Sequence, residues 1–277
     1  MKTLYVSDLD GTLLQPDARL SERTVSLLNR SIADGKLFTI ATARTPATVS
    51  RILAGVDMKL PAIVITGAAM WDTVTGRYSH VCHFDPDAVT ELLRIYAETD
   101  TSTFMFTLEH DMIDIYHQQG ALLPLQKEFM EERLESPYKR FHIDPHGADT
   151  LPAYLSHTIL FYTMLDDAKA SSTYDLIKDL PGVKAQYYHD IYGPRTGILE
   201  AFPSDATKAN AVRNLADAIG ADRIVCFGDN INDLPMMGVA DLAVAVENAL
   251  PEVKAAADIV IGPNTSDSVA EFINLDS

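Results

Sequence analysis

The stretch Val6-Ser7-Asp8-Leu9-Asp10-Gly11-Thr12-Leu13-Leu14, VSDLDGTLL, directly continues the apolar run Thr3–Val6 near the start of this 277-residue chain. Two carboxylates one residue apart repel each other, and Asp is a poor strand former. The run before them is apolar at successive positions rather than at alternate ones. That pattern predicts a strand buried on both faces, the kind found in parallel sheets covered by helices. A buried strand ending on paired carboxylates calls for a cation and for a reason to hold negative charge there.

The flanking sequence repeats this alternation. Residues 21–35 predict a helix capped by Ser21, with Val25, Leu28 and Ile32 on one face and a stop at Gly35. A second strand follows at 36–44, a second helix at 45–56 and a third strand at 61–67. The last part of the chain does the same: helices at 205–220, 232–240, 249–257 and 268–275 separate strands at 222–229, 242–246 and 258–262. Between them, strands near 103–117, 157–165 and 184–192 mix polar and apolar residues, as an antiparallel sheet with one wetter face does, with a hairpin turn at Glu109–Asp111. The expected fold is therefore α/β: a doubly wound, Rossmann-like parallel sheet over residues 1–84 and 191–277, carrying an inserted α+β domain over 85–190. Phe84–Asp85–Pro86 and Tyr192–Gly193–Pro194 are the expected crossings.

Charge and composition restrict the function. The formal net charge is −17, from 22 Lys and Arg against 39 Asp and Glu, which disfavours nucleic acid and anionic membrane surfaces as partners. No stretch approaches the ~18 apolar residues of a membrane helix. Two cysteines, Cys82 and Cys226, predict buried thiols in a reducing cytoplasm rather than a disulfide framework. The segment His80–His83, with Cys82, lacks a complementary Cys pair for a four-ligand zinc site.

In an open α/β sheet, ligands sit beyond the carboxyl ends of the strands. The predicted strand ends carry Asp8, Asp10, Thr42, Arg44, Thr66, Gly67, Asp229, Asn232 and Asp233, with Lys208 on the helix before the Asp229 strand. This set fits phosphoryl transfer through a covalent aspartate. A carboxylate attacks phosphorus without needing a base, and its repulsion from phosphate is screened by a hard cation in an oxygen cage. Asp8, Asp229 and Asp233 offer that cage. Lys208 and Thr42 can hold the transferred oxygens, and Asp10 can protonate the leaving alcohol and then activate water. Gly11 permits the sharp turn that aims backbone N–H groups at the phosphate. Taken alone, Asp8 and Asp10 would read as a solvated turn; Lys208 and the Asp229/Asp233 pair change that reading.

The segments DLDGTLL, ATAR, DATKANAV and GDNINDLPMM resemble, in order, the four motifs of the haloacid dehalogenase superfamily of phosphohydrolases, most closely the Cof-type branch with a large α/β cap between the second and third motifs. The resemblance implies a cytoplasmic, Mg2+-dependent phosphatase acting on a small phosphorylated metabolite, a sugar phosphate or phosphorylated cofactor. It implies Asp8 as nucleophile, Asp10 as general acid/base with its backbone carbonyl on the metal, and Asp229 and Asp233 as metal ligand and support. Phosphate and substrate contacts would come from Gly11, Thr42, Ala43, Arg44, Thr66, Gly67, Lys208 and Asn232. The chain departs from the branch at Ala43, where glycine is usual, and at Thr66, Glu247 and Ser268. A phosphomutase or phosphotransferase would use the same residues. A phosphorylation-driven regulator would share the acidic pocket, but a base such as Asp10 would shorten its phosphoaspartate. Neither the substrate nor the oligomeric state is legible in the sequence.

Overall fold

The structure is a computed structural model and describes residues 1–117, 122–143, 155–189 and 195–276. It divides into two compact units, Met1–His80 with Ala206–Ser277, and Val81–Asp205.

The first unit is built on a parallel sheet. Its strands are β1 (Thr3–Ser7), β2 (Leu37–Ile40), β12 (Arg223–Gly228), β13 (Leu242–Val246) and β14 (Ile259–Ile261), in the order β14-β13-β12-β1-β2. β1 is the centre, paired in parallel with β12 from Thr3↔Arg223 to Ser7↔Phe227 and with β2 from Leu4↔Leu37 to Ser7↔Ile40. Leu4, Val6, Val225 and Phe227 are fully buried, as the unbroken apolar pattern requires. The helices are α1 (Glu22–Ala33), α2 (Pro46–Ile52), α6 (Lys208–Ile219), α7 (Leu234–Met237), α8 (Pro251–Ala256) and α9 (Ser268–Leu275). Ser21 caps α1 by accepting from the Thr24 N–H at 2.9 Å, and Gly220 ends α6 with a left-handed φ of 62°, both as the sequence predicts.

Beyond β2 the predicted third strand is shorter than expected. β3 (Ala62–Val64) is joined to the β2 side by a single parallel bridge, Ala41↔Ile63, and forms an antiparallel trio with β4 (Ala69–Trp71) and β5 (Tyr78–Ser79). Residues 65–67 leave the strand for a turn described with the site.

The second unit contains α3 (Pro86–Glu98), β6 (Phe104–Glu109), β7 (Met112–His117), α4 (Pro124–Glu131), β8 (Lys139–Ile143), β9 (Thr158–Asp166), α5 (Asp167–Ile177), β10 (Val183–His189) and β11 (Thr196–Pro203). Its sheet runs β10-β11-β9-β6-β7-β8, antiparallel except for the parallel β7–β8 edge, so it is mixed rather than purely antiparallel. Val89, Leu92 and Tyr96 of α3 and Ile177 of α5 pack on Met105, Tyr116, Phe161 and Leu199. The β6–β7 hairpin turns at His110 and Asp111, both with positive φ, inside the expected Glu109–Asp111 turn.

The boundaries move relative to the sequence reading. β11, which that reading left in the outer domain, pairs along its length with β10 and β9 and belongs to the inserted unit. Phe84 is buried in that unit's core and donates its N–H to the Thr158 carbonyl, while Asp85 caps α3, so Phe84–Asp85–Pro86 lies within packed structure. The other expected crossing, at 192–194, lies outside the described residues. No helix among the described residues is long and apolar enough to cross a membrane.

Candidate active site

The site lies at the carboxyl end of the parallel sheet, where the chain leaves β1 and β12. After β1 it makes one wide turn, closed by Leu14 N–H donating to the Leu9 carbonyl at 2.9 Å, with Gly11 at φ 80° inside it. A Cβ on Gly11 would overlap the Asp229 carboxylate, so the turn owes its close approach to β12 to the missing side chain. After β12, Asp229 and Asn230 donate their N–H groups to Asp233 Oδ2 at 3.1 and 3.2 Å, which folds the acidic loop back on itself.

Lys208, on the first turn of α6, joins the two acidic segments. Its Nζ donates to Asp8 Oδ1 at 2.5 Å and to Asp233 Oδ1 at 2.7 Å. All three groups are buried, and Asp229 sits half-buried beside them, accepting from the Thr12 hydroxyl at 2.9 Å. One carboxylate oxygen each from Asp8, Asp229 and Asp233 falls within 4.8 Å of the others. Among the described residues this is the one such group of metal-capable side chains; His80, Cys82 and His83 form none.

Three carboxylates around one lysine leave an excess of negative charge. Burial pushes the Asp8 carboxyl up to about 7, with Lys208 pulling it down and Asp233 and Asp229 pushing it up. Burial likewise raises Asp229, against the Thr12 hydrogen bond that lowers it. For Lys208, burial opposes the charge, but the two carboxylates prevail and its ammonium is held above its ordinary range. A hard divalent cation fits this environment: the oxygens span the separation of ligands around such an ion, and its charge would remove the repulsion that raises Asp8.

The neighbouring strand ends supply the remaining expected residues. Asp10 is outside the carboxylate trio; its half-exposed side chain takes a two-pronged contact from Arg44, Nε at 2.7 Å and a terminal nitrogen at 2.5 Å. Thr42 is buried at the end of β2, accepts the Arg44 N–H on its hydroxyl and the Thr66 N–H on its carbonyl, and precedes the exposed Ala43. Ile65, Thr66 and Gly67 then take three successive positive φ values of 53°, 57° and 97°. A β-branched residue in this region is strained at about 1–2 kcal/mol, and the turn is held by N–H donation from Ile65 to the Arg44 carbonyl and from Thr66 to that of Thr42.

Gly67 makes the last of these turns possible. A Cβ there would overlap the Thr207 carbonyl and come within 2.8 Å of the Lys208 nitrogen. Gly67→Ala is therefore expected to lower stability by about 2–4 kcal/mol and displace the start of α6, visible as a lower urea midpoint. A midpoint within experimental error of the parent would contradict this packing.

Asn232 lies exposed on the turn before α7, and Lys208 takes its partners from Asp8 and Asp233 rather than from Asn232. The sequence reading missed two participants. Thr12 fixes Asp229, and its place next to Gly11 in the same motif was the available signal. Asn248 donates to the Gly11 carbonyl at 2.7 Å and accepts from Asn264, tying the loop after β13 to the first turn. Glu247 is exposed, and Ser268, where the branch has glycine, donates to the Gly262 carbonyl at 2.7 Å.

Known proteins match this chain along nearly its whole length. The chain is 26% identical over 285 aligned residues to the pyridoxal phosphate phosphatase YbhA of Escherichia coli K12, covering 96% of this chain and 95% of that protein. It is 28% identical to the HMP-PP phosphatase of Enterobacter sp. strain 638, covering 99% and 95%. The crystal structure of TM0651 from Thermotoga maritima shares the fold, with a TM-score of 0.78 at 20% identity over 100% of this chain and 98% of that one. The family model for haloacid dehalogenase-like hydrolases matches residues 5–273, so the buried carboxylates around Lys208 stand in a chain that belongs to that enzyme family, among phosphatases.

Proposed function

We propose that the protein is a Mg2+-dependent phosphatase that hydrolyses a small phosphorylated metabolite through a phosphoaspartate on Asp8. The observation that carries this reading is the Lys208 bridge between Asp8 and Asp233, with Asp229 gathered beside them at the sheet's carboxyl edge. Phosphatase relatives of nearly equal length support it.

Asp8, Asp229 and the Asp10 backbone carbonyl would hold the cation, with Asp233 supporting it. Bound there, Mg2+ supplies charge neutralisation between the carboxylates and the incoming phosphate. Asp8 attacks phosphorus and the ester oxygen leaves. Lys208, Thr42 and the amides of the Gly11 turn receive the charge on the transferred oxygens. Asp10 gives its proton to the leaving alcohol, then takes one from the water that opens the acyl phosphate. Arg44 holds the Asp10 carboxylate in one orientation and must share or release it as Asp10 exchanges its proton. We assign the exposed Ala43 and Asn232 to the leaving-group side and the buried Thr66 and Gly67 to the turn behind Lys208, and we place specificity for the leaving group in the unit Val81–Asp205.

The test is phosphate release from p-nitrophenyl phosphate and a panel of phosphorylated metabolites, with Mg2+ and with EDTA. Release that stops in EDTA and returns with Mg2+ is expected. Since protons compete for Asp8, Mg2+ should bind about tenfold more weakly for each pH unit below about 7. Phosphoryl transfer without free phosphate would point to a mutase or transferase, and no turnover of any ester by folded, Mg2+-loaded protein would reject the phosphatase.

A further inference from the structure

Beside the Asp10–Arg44 contact, and wholly within the first unit, lies a cavity of about 490 Å³. It opens between the loop after the Asp8 turn and helix α2, and it is lined by Asp17, Arg19, Arg44, Thr48 and Arg51, with Val25 and Ile52 among the apolar groups of its wall. Three guanidinium groups around one cavity stand out in a chain whose net charge is −17.

The partners of these groups differ. Arg44 reaches Asp10. Among the described residues, neither the Arg19 nor the Arg51 side chain has a hydrogen bond or ion pair, although both are exposed and acidic residues are abundant. The cavity's own carboxylate, Asp17, is turned into its loop, accepting the Arg19 backbone N–H at 3.2 Å. The Ala18 backbone at φ 60° keeps that loop folded so that Arg19 and Arg51 line the same space. Counting Asp17 against Arg19 and Arg51, and Asp10 against Arg44, the lining keeps one positive charge. Arginine offers paired donors in the geometry of a phosphate or carboxylate, and such contacts are the strong ones.

We propose that this cavity is an anion site, in which Arg19 and Arg51, with the Thr48 hydroxyl, hold a phosphate or carboxylate distinct from the phosphate attacked by Asp8. The inference rests on the reading of Asp8 as a phosphoryl-transfer centre only in assigning the anion to a substrate. That substrate would be a phosphomonoester with a second anionic group. Arg44 connects the two places: an anion in the cavity competes with Asp10 for its guanidinium and frees the acid/base carboxylate to turn over.

The experiment compares wild type with the double variant Arg19→Ala/Arg51→Ala. Both side chains are exposed, so the variant folds, and neither belongs to the catalytic set. With Mg2+ present, KM and kcat are measured for glucose 6-phosphate and for 6-phosphogluconate, which adds a carboxylate. The expected result is a KM for 6-phosphogluconate raised about tenfold or more in the variant, with glucose 6-phosphate changed less than twofold. Sulfate provides the second arm. If sulfate raises only the 6-phosphogluconate KM in wild type, the site takes the substrate's second anion. If it changes kcat for glucose 6-phosphate in wild type and not in the variant, the site takes a free anion. Calorimetry of sulfate binding to the metal-free proteins needs no turnover. Equal binding by wild type and variant overturns the anion site. Sulfate binding lost in the variant, with no ester hydrolysed by wild type, keeps the site and rejects the phosphatase reading instead.

Discussion

Asp8→Asn is expected to lower phosphate release by about 10⁴-fold or more, while making the metal-free protein more stable at pH 8. The loss of activity follows because an amide is no nucleophile toward phosphorus and cannot form the acyl phosphate. The gain in stability follows from burial. The Asp8 carboxyl titrates near 7 in the fold, against about 3.9 in an unfolded chain. A group that binds its proton more tightly when folded stabilises the fold while protonated. That contribution is complete below about pH 4 and disappears as the pH rises through about 7. Asparagine keeps the neutral form at every pH. Urea midpoints in EDTA should therefore favour the variant by about 1–3 kcal/mol at pH 8 and by nothing at pH 4. Activity above a hundredth of the parent's would remove Asp8 from the nucleophile's role. A variant less stable at pH 8 would mean that Lys208 outweighs burial.

Lys208→Met should cost both activity and stability. Methionine keeps most of the stem volume and removes the ammonium that Asp8 and Asp233 share. Breaking a buried ion pair by deleting one partner costs about 3–5 kcal/mol, because the remaining charge loses its compensation. Here two carboxylates are left facing each other at pH 8. As the pH falls below about 7 Asp8 takes up a proton, so the deficit should shrink by pH 5. Saturating Mg2+ should recover part of the stability at pH 8 by replacing the lost positive charge. Turnover should fall about 10²–10³-fold even then, since a fixed cation on the transferred oxygens is missing. Equal urea midpoints for parent and variant at pH 8 would rule out this account of the site's electrostatics.

The sheet of the first unit was legible because each of its main strands is apolar at successive positions and ends on a chemically distinctive residue. That pattern put Asp8, Thr42 and Asp229 at predicted strand ends and Asp233 just beyond, with Lys208 on the helix that precedes the Asp229 strand. The turn at 65–67 was not legible: Ile65 and Thr66 are favoured strand residues, and tertiary hydrogen bonds to Thr42 and Arg44 override that preference. Strand β11 escaped notice because Thr196–Pro203 mixes small, apolar and acidic residues and ends on a proline. Its identity comes from long-range pairing with β9 and β10. The edge strand β8 carries Lys139, Arg140 and His142, and it too lacks a local strand signal. Of the site, Arg44's grip on Asp10 joins two motifs separated by a helix, which spacing does not reveal.

The central strand β1 acquires its neighbour β12 only after the whole of Val81–Asp205 has intervened. During synthesis the chain therefore emerges with one side of its buried central strand unpaired, while the inserted unit, continuous in sequence, already has all its strands available. Loop closure over such a span is slow relative to local pairing. The β1–β12 pair, and with it the meeting of Asp8 with Lys208 and Asp229, becomes a late event in the life of the nascent chain. Until then the carboxylates of the first turn have neither lysine nor partner acids around them, and chemistry at Asp8 must wait for the last quarter of the polypeptide.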